Sequence, residues 1–246
     1  MPERHDAPPV TPDISPSPAA SSPLLLSWSG GKDSTIALHD LRVEGEAEVV
    51  SLLTTVTEGY DRISIHGVRV ELLRRQAEAV GMPLSVAEIP AQSSNEEYEA
   101  AMTAAFRPFC ERGVRNVGYG DLFLRDIRDY REALMSRLGM RAVFPVWGKE
   151  TEGFARRFLA LGYRAVVVCV DTEALDGDFA GREYDEQFLR DIPEGVDPCG
   201  ERGEFHTFVY DGPAFRHPVY FMRGDRVLRD GRFRYQDLIP TGSPGG

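Results

Sequence analysis

The residues best placed to do chemistry lie near the amino terminus, where Ser29-Gly30-Gly31-Lys32-Asp33-Ser34 follows the apolar stretch 24–28. An apolar run, a glycine-bearing bend and the start of a helix-like pattern form a general anion trap. Glycines let backbone amides approach phosphate oxygens, and the helix start adds a partial positive charge. That dipole contributes about 0.3–2 kcal/mol, whereas a micromolar nucleotide needs about 8 kcal/mol. The remainder falls to direct amide contacts and to Ser29, Ser34 and Lys32, with Lys32 as a point charge on a polyphosphate. Asp33 is placed to hold Mg²⁺ or the loop itself. The spacing is not that of GxxxxGK followed by Ser or Thr, so this is not a Walker A loop.

Such a loop needs strands to aim it, and the chain alternates apolar runs with amphipathic stretches in a βαβ manner. Strands are expected at 24–28, 49–56, 84–89, 114–119 and 142–144, with helices at 35–43, 67–80, 126–138 and 151–161. Asn95 is expected to cap another helix, with Glu96 and Glu97 in its first turn. Another apolar strand is expected at 164–170. Beyond Asp171 the pattern turns irregular. It then gives strands at 205–210 and 218–222 and a hairpin over 227–235 about Asp230-Gly231. The expected fold class is α/β: a parallel-sheet, Rossmann-like nucleotide domain with a smaller mixed α/β domain behind it. Phe106, Phe109, Phe154 and Phe158 recur at helical spacing and read as core. Residues 1–22, rich in Pro, Ser and Ala, read as a disordered tail without signal-peptide layout, and 239–246 as a flexible end.

Composition narrows the function. A net charge of −11 over 246 residues speaks against a nucleic-acid partner. No apolar run approaches the ~18 residues of a membrane span. Cys110, Cys169 and Cys199 form no CxxC pair, which argues against a zinc ribbon or cysteine-ligated cluster and points to a reducing cytoplasm. Cys110 and Cys169 occupy apolar periodic positions. Lys32 and Lys149 are the only lysines; Lys149 reads as a solvated side chain. His217 carries no readable signal.

The six residues 29–34 resemble the SGGxDS loop of the PP-loop ATP pyrophosphatases, which cleave ATP between its α- and β-phosphates. Three further stretches extend the likeness over residues 24–235: Gly59-Tyr60-Asp61-Arg62 with Ser64-Ile65-His66-Gly67, then Gly118-Tyr119-Gly120-Asp121 running on to Asp126-Ile127-Arg128, and Gly195-Val196-Asp197-Pro198-Cys199-Gly200-Glu201-Arg202-Gly203-Glu204-Phe205-His206-Thr207. Together they resemble the diphthine–ammonia ligase family, especially its bacterial-looking members. The resemblance implies a PP-loop domain at 23–140 and a family-specific acceptor domain at 141–238. It also implies ATP with Mg²⁺ as cofactors, and a reaction in which a carboxylate becomes an acyl-adenylate and ammonia displaces AMP. The acceptor-side run here is GERGEFHT, where the family carries GEGGEFET. Arg202 and His206 therefore alter the region that would read the acceptor, and the identity of the carboxylate stays open. A homodimer also stays open.

Roles follow for the remaining candidates. Leu53, Thr54 and Thr55 would hold adenine through strand backbone. His66 would contact phosphate or bond its own helix start. Gly120 and Asp121 lie at a strand's carboxyl end, where open α/β sheets bind ligands, and Asp121 joins Asp33 as a candidate Mg²⁺ ligand. Glu201, Glu204 and His206, with Lys32 and Asp33, form the candidate catalytic set on a loop closing over ATP. Cys199 is an alternative nucleophile of the sulfur-transfer kind. Arg128 or Arg131 could face the cleft, but a charged outer face is the favoured reading. Two rivals remain on the same loop: an RNA-thiolating enzyme, and an ATP-binding protein without turnover.

Overall fold

The computed structural model describes residues 22–45, 47–63 and 66–243. Ser64 and Ile65 of the second motif, most of the expected N-terminal tail and the last three residues lie outside them. β1 (Ser22–Ser27), β2 (Ala47–Thr57), β3 (Leu84–Ile89), β4 (Asn116–Gly118) and β5 (Arg141–Val143) form one parallel sheet in the order β3-β2-β1-β4-β5. The order reverses at β1, so the crevice where ligands settle lies at the carboxyl ends of β1 and β4.

Alternation along β1 sets the two faces. Leu24 and Leu26 enter one core with α1 (Lys32–Glu44) and α2 (Val70–Ala79), while Leu25 enters the other with α3 (Asn95–Glu111) and α4 (Arg125–Arg137). α5 (Thr151–Ala160) leads into a second, antiparallel sheet of β6 (Arg164–Asp171), β7 (Phe205–Asp211), β8 (Phe221–Arg229) and β9 (Phe233–Pro240), ordered β7-β6-β9-β8. Val166, Val168, Phe205 and Phe208 belong to the same buried cluster as Leu24, Ile36 and Leu72. The second sheet is thus welded to the α1/α2 face of the first. Among the described residues no helix is long and apolar enough to cross a membrane.

Several expected boundaries move for physical reasons. β5 pairs with β4, so residues 141–143 belong to the first sheet and not to the second domain. β9 runs through Pro240 and Thr241 N donates to Tyr220 O, so the last strand absorbs the start of the expected flexible end. Ser94, not Asn95, caps α3 in a reciprocal box with Glu97. α2 begins at Val70 because Val68 and Arg69 pair back to Ile63 and Arg62. Residues 218–220 precede β8, held by bonds from Val219 N to Tyr210 O and from Thr241 N to Tyr220 O. The irregular stretch after Asp171 contains a 3-10 turn (Gly177–Phe179) and the short helix α6 (Glu186–Asp191). Asp230 and Gly231 both take positive φ, 51° and 65°, as the hairpin reading requires.

Candidate active site

The loop after β1 is gripped from behind. Gly30 has φ +76°, and a Cβ there would fall 2.6 Å from the Leu73 side chain and 2.8 Å from Gln76 Oε1. The Gly30 carbonyl accepts from Gln76 Nε2 and from Val209 N, each at 2.9 Å. Gln76 is fully buried on α2; its Oε1 accepts from Trp28 Nε1 at 2.7 Å and its Nε2 also donates to Val209 O at 2.6 Å. No side chain of the loop caps α1; the hydroxyl of Thr207 on β7 accepts from Lys32 N instead. Gly30 and Gly31 line neither nucleotide-sized cleft. Their bareness allows close packing against α2 and β7. Gly120 lines the charged cleft beside the loop, and a Cβ there would lie 2.9 Å from the Asp33–Ser34 peptide, so its bareness also lets the end of β4 nest on the loop.

Two adjoining clefts open at this place, of about 260 and 210 Å³, sharing Ser27, Ser29, His66, Tyr119 and Arg131. The first is walled by Leu53, Thr54 and Thr55 and by the rings of Tyr98, Phe106 and Tyr119. The second gathers Lys32, Asp33, Ser34, Asp121, Glu201 and His206. One is rich in aromatic side chains, the other dense in charge, a division that suits a nucleoside and its phosphates.

Lys32 is 1% exposed. Its Nζ donates to Asp33 Oδ2 at 3.0 Å and to the carbonyl of Cys199, and the rings of Phe205 and Tyr184 lie 5.6 and 5.8 Å away. Burial pulls its pKa down, but Asp33, Cys199 and Glu201 more than offset that and it stays raised. For Asp33 burial dominates and raises the pKa against the pull of Lys32. Asp33 Oδ1 is buried with no partner among the described residues. An orphaned carboxylate oxygen beside a phosphate-sized space fits Mg²⁺, which is commonly held by one or two carboxylates plus substrate phosphates. Asp121, the other expected metal ligand, likewise has a buried oxygen, Oδ2, with no hydrogen bond among the described residues, but it is ion-paired. Arg131 occupies it, with Nη2 3.1 Å from Oδ1 and Nε 2.7 Å from Oδ2. Among the described residues no three His, Cys, Asp or Glu side chains converge as a metal site.

On the 197–204 loop the two glutamates part. Glu201 reaches the cleft, accepts from Leu122 N at 2.7 Å, and is pushed up to about 7 by burial. Glu204 turns away, a correction to its expected catalytic place. Its oxygens accept from Asp197 N at 3.1 Å and Arg202 N at 2.9 Å, closing the loop on itself. His206 and His66 meet with ring centroids 4.4 Å apart. Burial holds both below the usual imidazole range, His206 to about 4, so both are neutral near pH 7. The Cys199 thiol donates to Thr151 O at 3.3 Å, and burial pushes its pKa up, which disarms it as a sulfur nucleophile. Lys149, read as solvated, instead joins Arg157 on the buried Asp40 of α1, both at 2.5 Å.

Sequence reasoning missed Gln76 and Thr207 and set aside Arg131. Gln76 looks like one more polar position on an amphipathic helix. Arg131 stacks 4.3 Å over Tyr119 and lines both clefts, whereas Arg128 packs on Phe144 and Trp147. The acidic neighbours of Arg131 masked it, and only the tyrosine in the motif could have signalled a stacking partner.

The 3-2-1-4-5 sheet, its glycine-bent loop and the paired clefts define a nucleotide-binding α/β protein of the PP-loop type. Residues 24–142 match the diphthamide synthase N-terminal domain and residues 150–230 the diphthamide synthase C-terminal domain. The chain belongs to the diphthamide synthase family. Among curated relatives, the diphthine–ammonia ligase of Mus musculus is 23% identical over 81% of this chain and 83% of its own. The Homo sapiens protein of that name is 25% identical over the same shares, and that of Schizosaccharomyces pombe 27% over 78% of this chain and 34% of its own. Among solved structures, a U34-tRNA thiolase from Methanococcus maripaludis aligns over 58% of this chain and 59% of its own at 14% identity, with a TM-score of 0.34, too remote to bear on function.

Proposed function

We propose that this protein is an ATP-dependent amide ligase that activates a carboxylate as an acyl-adenylate and passes the acyl group to ammonia, releasing AMP and pyrophosphate. The observation that carries this reading is the unpartnered Asp33 Oδ1 beside buried Lys32 at the start of α1, in a charged cleft continuous with a nucleoside-sized one. Asp33 would hold Mg²⁺, which supplies charge neutralisation to the phosphates. Adenine would occupy the cleft walled by residues 53–55. Lys32 offsets the charge of two anions brought together, since an acid and ATP repel until a cation bridges them.

A substrate carboxylate oxygen attacks the α-phosphorus, forming the acyl–O–P bond as the bond to the β-phosphate oxygen breaks. Ammonia then adds to the acyl carbon and AMP leaves. The incoming nitrogen must shed a proton. Glu201, lining the cleft with a pKa near the working pH, is the base for it. The curated relatives are named for diphthine.

Incubation with ATP, Mg²⁺, ammonium and a panel of carboxylic acids should yield AMP and pyrophosphate in equal amounts. Lys32→Met should abolish both, because it leaves Asp33 without its counter-charge and frees the 197–204 loop from α1. ADP as the product would refute the mechanism.

A further inference from the structure

A third cavity, of about 450 Å³, is larger than either nucleotide cleft and takes part in none of the steps above. It lies across the two sheets. One wall is the end of β2 and the loop after it, with Thr57, Tyr60 and Arg62, plus Ala91 and Gln92 beyond β3. These are carboxyl ends of parallel strands, the side on which such sheets take ligands. The opposite wall is the β8–β9 hairpin. Asp225, Val227 and Arg229 alternate along β8, and Tyr235 and Asp237 along β9, with Val227 opposite Tyr235. Alternation puts all five on the one face that meets the cavity.

That face is not built as a core. Asp237 is fully engaged by Arg62 at 2.8 Å and Arg69 at 2.6 Å. Arg229 and Asp225 have no ion pair or side-chain hydrogen bond among the described residues, although Arg229 lies 5.7 Å from the Tyr235 ring. The cavity therefore presents one unengaged cation and one unengaged anion four residues apart on a strand, over an aromatic floor. Gln92 at its edge takes φ +57°, a backbone outlier for a side chain without glycine's freedom, and such outliers concentrate where ligands are held. Ile63 lines both this cavity and the nucleoside cleft, so the two spaces adjoin.

We infer that this cavity is the acceptor site, and that it takes a zwitterionic amino-acid head group: Arg229 receives its carboxylate, Asp225 its ammonium, and a second carboxylate on the side chain extends past Ile63 to be adenylated. The inference rests on the ligase reading and adds the substrate class to it.

The test is AMP release by the full chain with ATP, Mg²⁺ and ammonium, using L-glutamate and L-2-aminoadipate against glutarate, which lacks the amine, and 4-aminobutyrate, which lacks the α-carboxylate. The amino diacids should give the lowest KM. Arg229→Ala should raise that KM about 10- to 100-fold, the range for a hydrogen-bonded charge, with the KM for ATP unchanged. Asp225→Asn should raise it for the amino diacids but leave glutarate unaffected. Turnover of any acid at a KM that neither variant moves overturns the cavity assignment and leaves the ligase standing, as does a preference for glutarate. If no acid yields AMP, the ligase reading fails separately. Calorimetry with L-2-aminoadipate then decides the cavity: binding lost in Arg229→Ala supports it, and no binding overturns it.

Discussion

Replacing Gln76 by Leu tests whether the nucleotide loop is held by its packing partners. Leu has nearly the volume of Gln, so no large cavity opens and the effect isolates hydrogen bonding. Three bonds vanish: from Trp28 Nε1 at 2.7 Å, to Gly30 O at 2.9 Å and to Val209 O at 2.6 Å. The Gly30 carbonyl keeps its bond from Val209 N. Trp28 Nε1 and the Val209 carbonyl are left against an apolar side chain in a fully buried place, at about 1–3 kcal/mol each. The expected loss is therefore about 2–6 kcal/mol, a large share of the roughly 5–15 kcal/mol that holds a typical domain folded. Urea unfolding should show a lower midpoint at unchanged slope. Nucleotide binding by calorimetry should weaken about tenfold, the 1.4 kcal/mol expected from losing about one positioning bond to the loop. A variant within about 1 kcal/mol of the parent that binds ATP normally would refute the claim that Gln76 sets the loop.

The amide-forming rate should climb with pH through about 7, because Glu201 is raised to that value and acts as its carboxylate. Glu201→Gln should flatten that limb in a pH–rate series while AMP still forms. His206 and His66 are held below their unfolded values, so their stabilising effect is complete above about 6.5 and drains as pH falls, for His206 through about 4. For His206 the span from 6.5 to about 4 corresponds to about 3 kcal/mol, and His206→Phe should flatten the acid side of a stability–pH curve. Cys199 should resist thiol reagents until the protein unfolds, whereas half-buried Cys110 reacts in the native state. Cys199→Ala should keep activity, since Lys32 is held by the backbone carbonyl of that residue and not by its sulfur.

The parts of this protein visible in sequence are those with short-range causes. The βαβ alternation exposed the first four parallel strands, with the fifth read as a strand but of the second domain, and the serine–glycine–lysine–aspartate run exposed the loop, because a bend and a helix start are local events. What stayed hidden depends on residues far apart. Thr207 caps a helix that begins 175 positions earlier, and Gln76 joins β1, the loop and β7. Glu201 and Glu204 sit three residues apart with equal claims on paper, and only the curl of their loop sends one to the cleft and the other to its own backbone. Asp121 was legible as a strand-end acid, but Arg131, a helix away, determines what it does. Glycines 30, 31 and 120 were legible as unusual from their place after a strand, but the atoms that a Cβ at each would crowd come from distant parts of the chain or from the loop itself.

Because β7 supplies the cap of α1 and a clasp on Gly30, the first 142 residues do not carry a finished catalytic pocket. Produced by themselves they would present a loop stripped of its rear support, and the carboxy-terminal portion would present a clasp with nothing to hold. Mixed together, the two fragments should regain ATP affinity only as they reassociate, which makes nucleotide binding a gauge of how firmly the halves are joined.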